Sequence, residues 1–155
     1  MMPFEVVNAT NNSEPKNLPS DAVIIGEHEE DFMYTLNENT RALYKGNFKA
    51  QVYYSKLFGV GIDYSFDCGA CKISSVTGTA TIRDYWDYEY LEIPANSYGY
   101  GYNRVSFYKN TGKTFPTGIS QLYVDYYLYV SLLNGDILNG NRIIYSVGPM
   151  TIPKH

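Results

Sequence analysis

The chain is short of almost everything that carries recognisable chemistry. It has two cysteines, two histidines and a single tryptophan in 155 residues. A structural zinc site needs four ligands on a compatible spacing. Beyond Cys68 and Cys71 only His28 and His155 remain, at opposite ends of the chain, so no metal and no cofactor is expected. Basic residues are also scarce: 12 Lys and Arg are scattered among 16 Asp and Glu, for a formal net charge of −4. Nucleic-acid binders concentrate positive charge, because phosphate contacts dominate their affinity, so no nucleic-acid partner is expected. No apolar run reaches the roughly 18 to 20 residues that span a bilayer. The first 20 residues lack the charged and apolar regions of a secretory signal. The doubled Met1-Met2 reads as an initiator added to a piece of something longer. Gly99-Tyr100-Gly101 lacks the strand–glycine–helix setting of a phosphate loop.

Aromatics are abundant. The chain holds 17 Tyr and 7 Phe within a hydrophobic content of 45%. With its Val, Ile and Thr, that composition favours pleated structure over helices. The length fits one domain with a core of its own. So many tyrosines exceed what one core holds as buried rings. Because Tyr has a wet end and an apolar body, many are expected on the surface or on a contact face.

Residues 1–20, rich in Asn, Ser and Pro, read as a polar arm or linker, and residues 21–155 as a single β-rich domain. Ala22 to Ile25 reads as a first strand stopped by Gly26. The acidic run Glu27–Asp31 encloses His28, a candidate acid/base residue. Four nearly consecutive acids do not share a face, so a solvated loop or helix start is favoured. Residues 32–44 fit a helix or a strand-turn, and Gly46-Asn47 marks a turn. Strands are expected over 48–55 and 58–66, where apolar residues alternate. Cys68-Gly69-Ala70-Cys71 admits a redox pair, half a zinc site, or the tip of a hairpin with flanking thiols, free or bonded. The strand-like stretch that follows favours the hairpin.

Thr77-Gly78 reads as another turn, and 79–93 as a strand or strand pair. Asp84, Asp87 and Glu89 surround Trp86 there, a candidate catalytic or sugar-binding set beside the rings of Tyr85, Trp86 and Tyr88. Asp84 and Asp87 fall on opposite faces of one strand and cannot flank one bond unless it bulges. A solvated strand balanced by Arg83 is therefore favoured. Residues 94–102 form a Gly- and Tyr-rich loop presenting Tyr98, Tyr100 and Tyr102, a pattern that gives large contact area at low entropy cost. For 119–133 the period of two favours a strand. The length, with Thr117 as N-cap and Gly135 past the end, favours a helix, so a helix is expected near 118–134. A last strand follows over 142–147.

The segment GTATIRDYWDYEYLEI (78–93) resembles a strand pattern of C-terminal toxin domains from bacterial polymorphic and contact-dependent toxin systems. In those domains a GTxxIxDxWDY/F strand is followed by a helix with small residues and a final strand, as LYVSLLNGDILNGNRIIYSVG (128–148) matches. The chain departs from enzyme-bearing toxins in having no His, Cys or paired acids in a catalytic order. The resemblance implies an effector secreted as cargo of a larger delivered protein, with a cognate immunity protein or a target protein as partner. It names no target. Two other readings stand beside it. One is a non-catalytic Tyr-rich binding module for a glycan, a protein or a membrane surface. The other is an acidic immunity- or inhibitor-type protein whose charge steers it to a basic partner. The fold expected is mainly β (α+β): an antiparallel sheet of hairpins with one helix packed on it.

Overall fold

A computed structural model of the chain describes residues 16–35 and 42–154. Among the described residues nine strands follow one another: β1 (Val23–Tyr34), β2 (Tyr44–Ser55), β3 (Gly59–Asp67), β4 (Ile73–Arg83), β5 (Glu89–Pro94), β6 (Ser97–Tyr98), β7 (Arg104–Asn110), β8 (Leu122–Leu132) and β9 (Ile143–Met150). They form two antiparallel sheets. The first has the order β1-β2-β3-β7, and the second β5-β4-β8-β9, with β6 also on β4. β5 pairs with residues 79–83 of β4 and β6 with Ser75 and Val76, so the two share one edge.

Period-two burial builds both layers. Phe48, Ala50, Val52 and Tyr54 of β2 and Val60, Ile62, Tyr64 and Phe66 of β3 point inward. Across from them lie Leu122, Val124, Tyr126, Leu128 and Val130 of β8. The sheets close face to face as a sandwich: the Phe48 ring stacks on Tyr145 at 4.0 Å, and Tyr64 meets Tyr126 edge-on at 5.8 Å.

The mainly antiparallel β fold is as expected; the helix near 118–134 is not there. That segment holds β8, paired on one side with β4 and on the other with β9. A central strand satisfies its backbone on both edges, which supports a length of 11 residues. Along it Tyr126 faces the core while Tyr123, Tyr127 and Tyr129 face outward. Gly135, at φ +93°, sits in the β8–β9 connection instead of capping a helix.

Three expected turns or breaks are also corrected. Gly26 does not stop β1; the strand passes it through an irregularity at Ile24/Gly26, and the acidic run with His28 lies within the strand. Gly46-Asn47 lies inside β2, where the Phe32 ring fills the space a Gly46 side chain would need. Gly78 lies inside β4, against the Tyr127 backbone of β8. Cys68 and Cys71 form a disulfide. Their loop is no hairpin, because β3 and β4 belong to different sheets. It is a crossover between the sheets, closed by the disulfide. Within the ambiguous 32–44 stretch, residues 32–34 end β1 and Tyr44 begins β2. Residues 36–41, and most of the arm at 1–15, lie outside the described residues.

The tyrosines divide. Tyr85, Tyr88, Tyr100, Tyr102 and Tyr129 are exposed, whereas Tyr34, Tyr53, Tyr54, Tyr64, Tyr108, Tyr126 and Tyr145 are buried. More are buried than composition suggested, because their hydroxyls find partners: Tyr53 bonds Gln51 at 2.6 Å and Asp63 at 3.1 Å on the outer face of the first sheet. Tyr54 donates to the Phe115 carbonyl at 3.1 Å and Tyr64 to the Ala95 carbonyl at 2.7 Å.

Candidate functional site

β4 runs out of the sandwich at Arg83 and returns as β5 at Glu89, leaving residues 84–88 as an apex. Its shape is set by Asp84. One carboxylate oxygen accepts the backbone N–H groups of Trp86 at 2.8 Å and Tyr88 at 3.0 Å. The Asp84 N–H donates to the Tyr88 carbonyl at 3.0 Å, and the Asp84 carbonyl accepts from the Asp87 N–H at 3.2 Å. Aspartate suits this role because its short side chain reproduces a backbone acceptor and closes a turn locally. Asp87 takes the left-handed conformation at φ +65°, and its carboxylate faces Arg83 at 3.4 Å.

A turn held this way presents its rings outward. Tyr85, Trp86 and Tyr88 are 59%, 78% and 63% exposed. Tyr85 meets Trp86 edge-on at 5.3 Å. Tyr88 contacts Tyr90 at 4.9 Å, and Tyr90 contacts Phe115 at 5.2 Å, both edge-on. Lys113 lies over the rings of Tyr90 and Phe115. Phe115 is tied to the core, since its N–H donates to the Tyr54 hydroxyl at 3.0 Å. Tyr88 thus stands on an aromatic stem rooted in the sandwich, beside the Tyr85–Trp86 pair. Burial raises the Tyr90 phenol pKa, and the Asp84 carboxylate adds to that.

The predicted residues scatter over several places. Tyr85, Trp86 and Tyr88 come together at the apex. Asp84 is absorbed in closing the turn, Asp87 pairs with Arg83, and Glu89 is exposed at the start of β5. His28 lies on β1 in the other sheet, opposite Ala50, where it bonds Glu30 at 3.1 Å and its ring lies 5.8 Å from Tyr145. Tyr98 belongs to β6, its ring 5.9 Å from Tyr100. Tyr100 and Tyr102 lie in the connection to β7, where the Tyr102 carbonyl accepts from the Ile73 N–H. That is the opposite end of β4 from the apex. Strand β4, 11 residues from Ile73 to Arg83, separates the two aromatic groups by about 33 Å. They are two surfaces and not one.

Sequence reasoning missed the outer face of the first sheet. Lys49, Ser65 and Ser106 stand side by side there on β2, β3 and β7. Each occupies an outward position of its strand; which strands become neighbours is invisible in a single chain. Two acids on outer faces were also missed. Asp63, 9% exposed, bonds Lys16 at 2.6 Å, and Asp125, 4% exposed, bonds Arg83 at 2.5 Å. Among the described residues no group of three or more His, Cys, Asp or Glu is placed to hold a metal ion.

Comparison with protein-family models, with curated proteins and with solved structures returns no significant match. The molecule is a mainly-β protein of two antiparallel sheets with an aromatic apex.

Proposed function

We propose that this protein is a recognition module that engages a protein partner through the β4–β5 apex. The exposure of Tyr85, Trp86 and Tyr88 on a turn fixed by Asp84 carries the reading. Three large rings held in water are costly unless they are covered in a complex, and Trp and Tyr dominate the energetics of protein contacts. The fixed turn lowers the ordering cost of binding. Arg83 and Asp87 beside the rings supply a polar rim.

The test compares the wild-type chain with Tyr85→Ser, Trp86→Ser and Tyr88→Ser variants in pull-downs from host cells and on a glycan array. A protein retained by the wild type and lost by variants of unchanged melting temperature supports the reading. Retention of the same protein by all forms, or binding of glycans alone, overturns it.

A second reading is a delivered antibacterial effector domain, and the buried Cys68–Cys71 disulfide favours it. Structural disulfides persist where the surroundings are oxidising, as on a route out of the cell. Production in the cytoplasm and, separately, in the periplasm of a bacterial host tests it; healthy growth in both compartments sinks it.

A further inference from the structure

The outer face of the first sheet carries a hollow of ≈ 350 Å³ well away from the apex. Its floor follows from register. Lys49, Ser65 and Ser106 stand in one row across β2, β3 and β7. The next row is Gln51, Asp63 and Tyr108, and on the other side lie Asn47, Asp67 and Arg104. The two serines are small, so flanking side chains rise around them and leave space above.

The charges on this face are unevenly answered. Asp63 is saturated: it takes Lys16 Nζ at 2.6 Å, the Gln51 N–H at 2.8 Å and the Tyr53 hydroxyl at 3.1 Å. Lys16 is thereby neutralised and held over one end of the hollow. Among the described residues, neither Lys49 nor Arg104 has a carboxylate within ion-pair distance. The nearest acids in register are turned elsewhere. Glu29, opposite Lys49, accepts from Asn47 at 3.1 Å, and Asp67, opposite Arg104, accepts from the Gly69 N–H at 2.9 Å. Two unanswered cations therefore border a floor of hydroxyls in a chain whose net charge is −4.

We infer that this hollow binds a small anionic sugar, its carboxylate or phosphate gripped by Lys49 and Arg104 and its hydroxyls met by Ser65 and Ser106. Arginine offers a planar fork that matches either oxyanion, and lysine adds a mobile point charge. Hydroxyl side chains exchange hydrogen bonds with sugar hydroxyls in either direction, and the Gln51 amide, which donates to Glu27 at 2.7 Å and accepts from Tyr53 at 2.6 Å, only walls the hollow. The volume suits one ring at the lower end of ligand-pocket sizes, about 300 to 1,000 Å³. This site is independent of the apex, and either can fail without the other.

Amide NMR titration of the full chain with D-glucuronate, glucose 6-phosphate, D-glucose and inorganic phosphate tests the inference. Saturable binding of the two charged sugars is expected, with shifts centred on Ser65 and Ser106 and none for D-glucose. Lys49→Gln and Arg104→Gln should each weaken binding roughly tenfold, as expected for loss of a charge-assisted hydrogen bond. Ser106→Leu, which fills the floor without touching the cations, should abolish it. Arg142→Gln, on the outer side of the second sheet, should leave it unchanged. The inference is overturned if neither charged sugar binds in the millimolar range. It also falls if Arg142→Gln weakens binding as much as Lys49→Gln does, or if inorganic phosphate binds as tightly as glucose 6-phosphate.

Discussion

The Tyr126 hydroxyl, inside the sandwich on β8, donates to the Asp63 main-chain carbonyl of β3 at 2.9 Å. One phenol thus ties the second sheet to the first. Tyr64 makes the reverse tie, from β3 to the Ala95 carbonyl at 2.7 Å and the Ser97 hydroxyl at 2.9 Å. Removing such a hydroxyl while keeping the ring isolates the tie from the packing. Tyr126→Phe should lower stability by about 1 kcal/mol. Tyr126→Ala, which also empties the ring's space, should cost about 3 to 5 kcal/mol. Urea unfolding checks both, and the Phe variant should shift the midpoint with an unchanged slope. A Phe variant as stable as the wild type would mean that the cross-sheet bond contributes nothing net.

Sealed phenols also set the response to alkali. Burial raises the pKa of Tyr64 and Tyr126, with the Asp63 charge adding at Tyr126; it pushes Tyr145 up to about 12, helped by the Glu30 carboxylate. A phenol whose folded pKa is raised binds its proton more tightly in the native state. Its stabilising contribution is complete below the unfolded value near 10 and is lost as pH climbs towards the folded value. Stability should therefore fall steeply above about pH 10, each such phenol adding up to about 1.4 kcal/mol per pH unit. Tyr145→Phe should flatten that decline by about one proton. Urea midpoints collected across this alkaline window decide the matter, and a pH-independent midpoint there would contradict it.

Gly78 tests the backbone of the second sheet. It adopts φ +150°, and a Cβ placed on it would lie 1.8 Å from the Tyr127 carbonyl oxygen. Both the conformation and the close strand approach exclude a side chain. Backbone cannot swing aside as a side-chain tip can, so Gly78→Ala should cost upwards of about 3 kcal/mol. Thermal melting measures it. Gly112→Ala is the informative comparison: its φ is +73°, but nothing lies within 4 Å of its added Cβ. It should cost only about 1 kcal/mol.

Gly78 also shows where the sequence was legible and where it stopped. Alternation placed β3 and residues 48–55 of β2, because each buries one face and period two records that directly. It could not place Gly78, since a glycine at a turn and one beneath a neighbouring strand look alike until the neighbour is known. The same ignorance of pairing hides β8, whose length and end signals fit a helix until the strands on both of its edges are known. The apex rings were legible as exposed aromatics in an acidic setting. The hollow was not, for Lys49, Ser65, Ser106 and Arg104 come from three strands that meet only through register. Asp84, a weak candidate for chemistry beside the favoured reading of a solvated strand, is a turn-maker, because its partners are backbone N–H groups that no side-chain motif reveals.

On the outer side of the second sheet, Arg83 holds Asp125 through Nε at 2.5 Å and Nη2 at 3.3 Å, while its guanidinium lies 4.3 Å from the Tyr123 ring centroid. Ser146 adds a third bond to the same carboxylate at 2.6 Å. The Asp125 hydrogen bond raises the Arg83 pKa further. Arg83→Met leaves a buried carboxylate without its cation and should cost about 2 to 3 kcal/mol. Adding Asp125→Leu should recover part of that loss, because the stranded charge is then gone. A double variant no more stable than Arg83→Met would show that Asp125 is adequately served by Ser146 and water.

Trp86 is the sole tryptophan, so its fluorescence reports the apex without interference. At 78% exposure the indole should emit like one in water, be quenched readily by iodide, and shift little when urea unfolds the chain. Trp86→Ala should alter stability by no more than about 0.5 kcal/mol, as an exposed ring contributes little to the core. A partner that covers the apex should move the emission to shorter wavelength and protect it from iodide in the same titration. A native spectrum already shifted to the blue would mean that the ring is packed away, and the apex would then lose its leading contact residue.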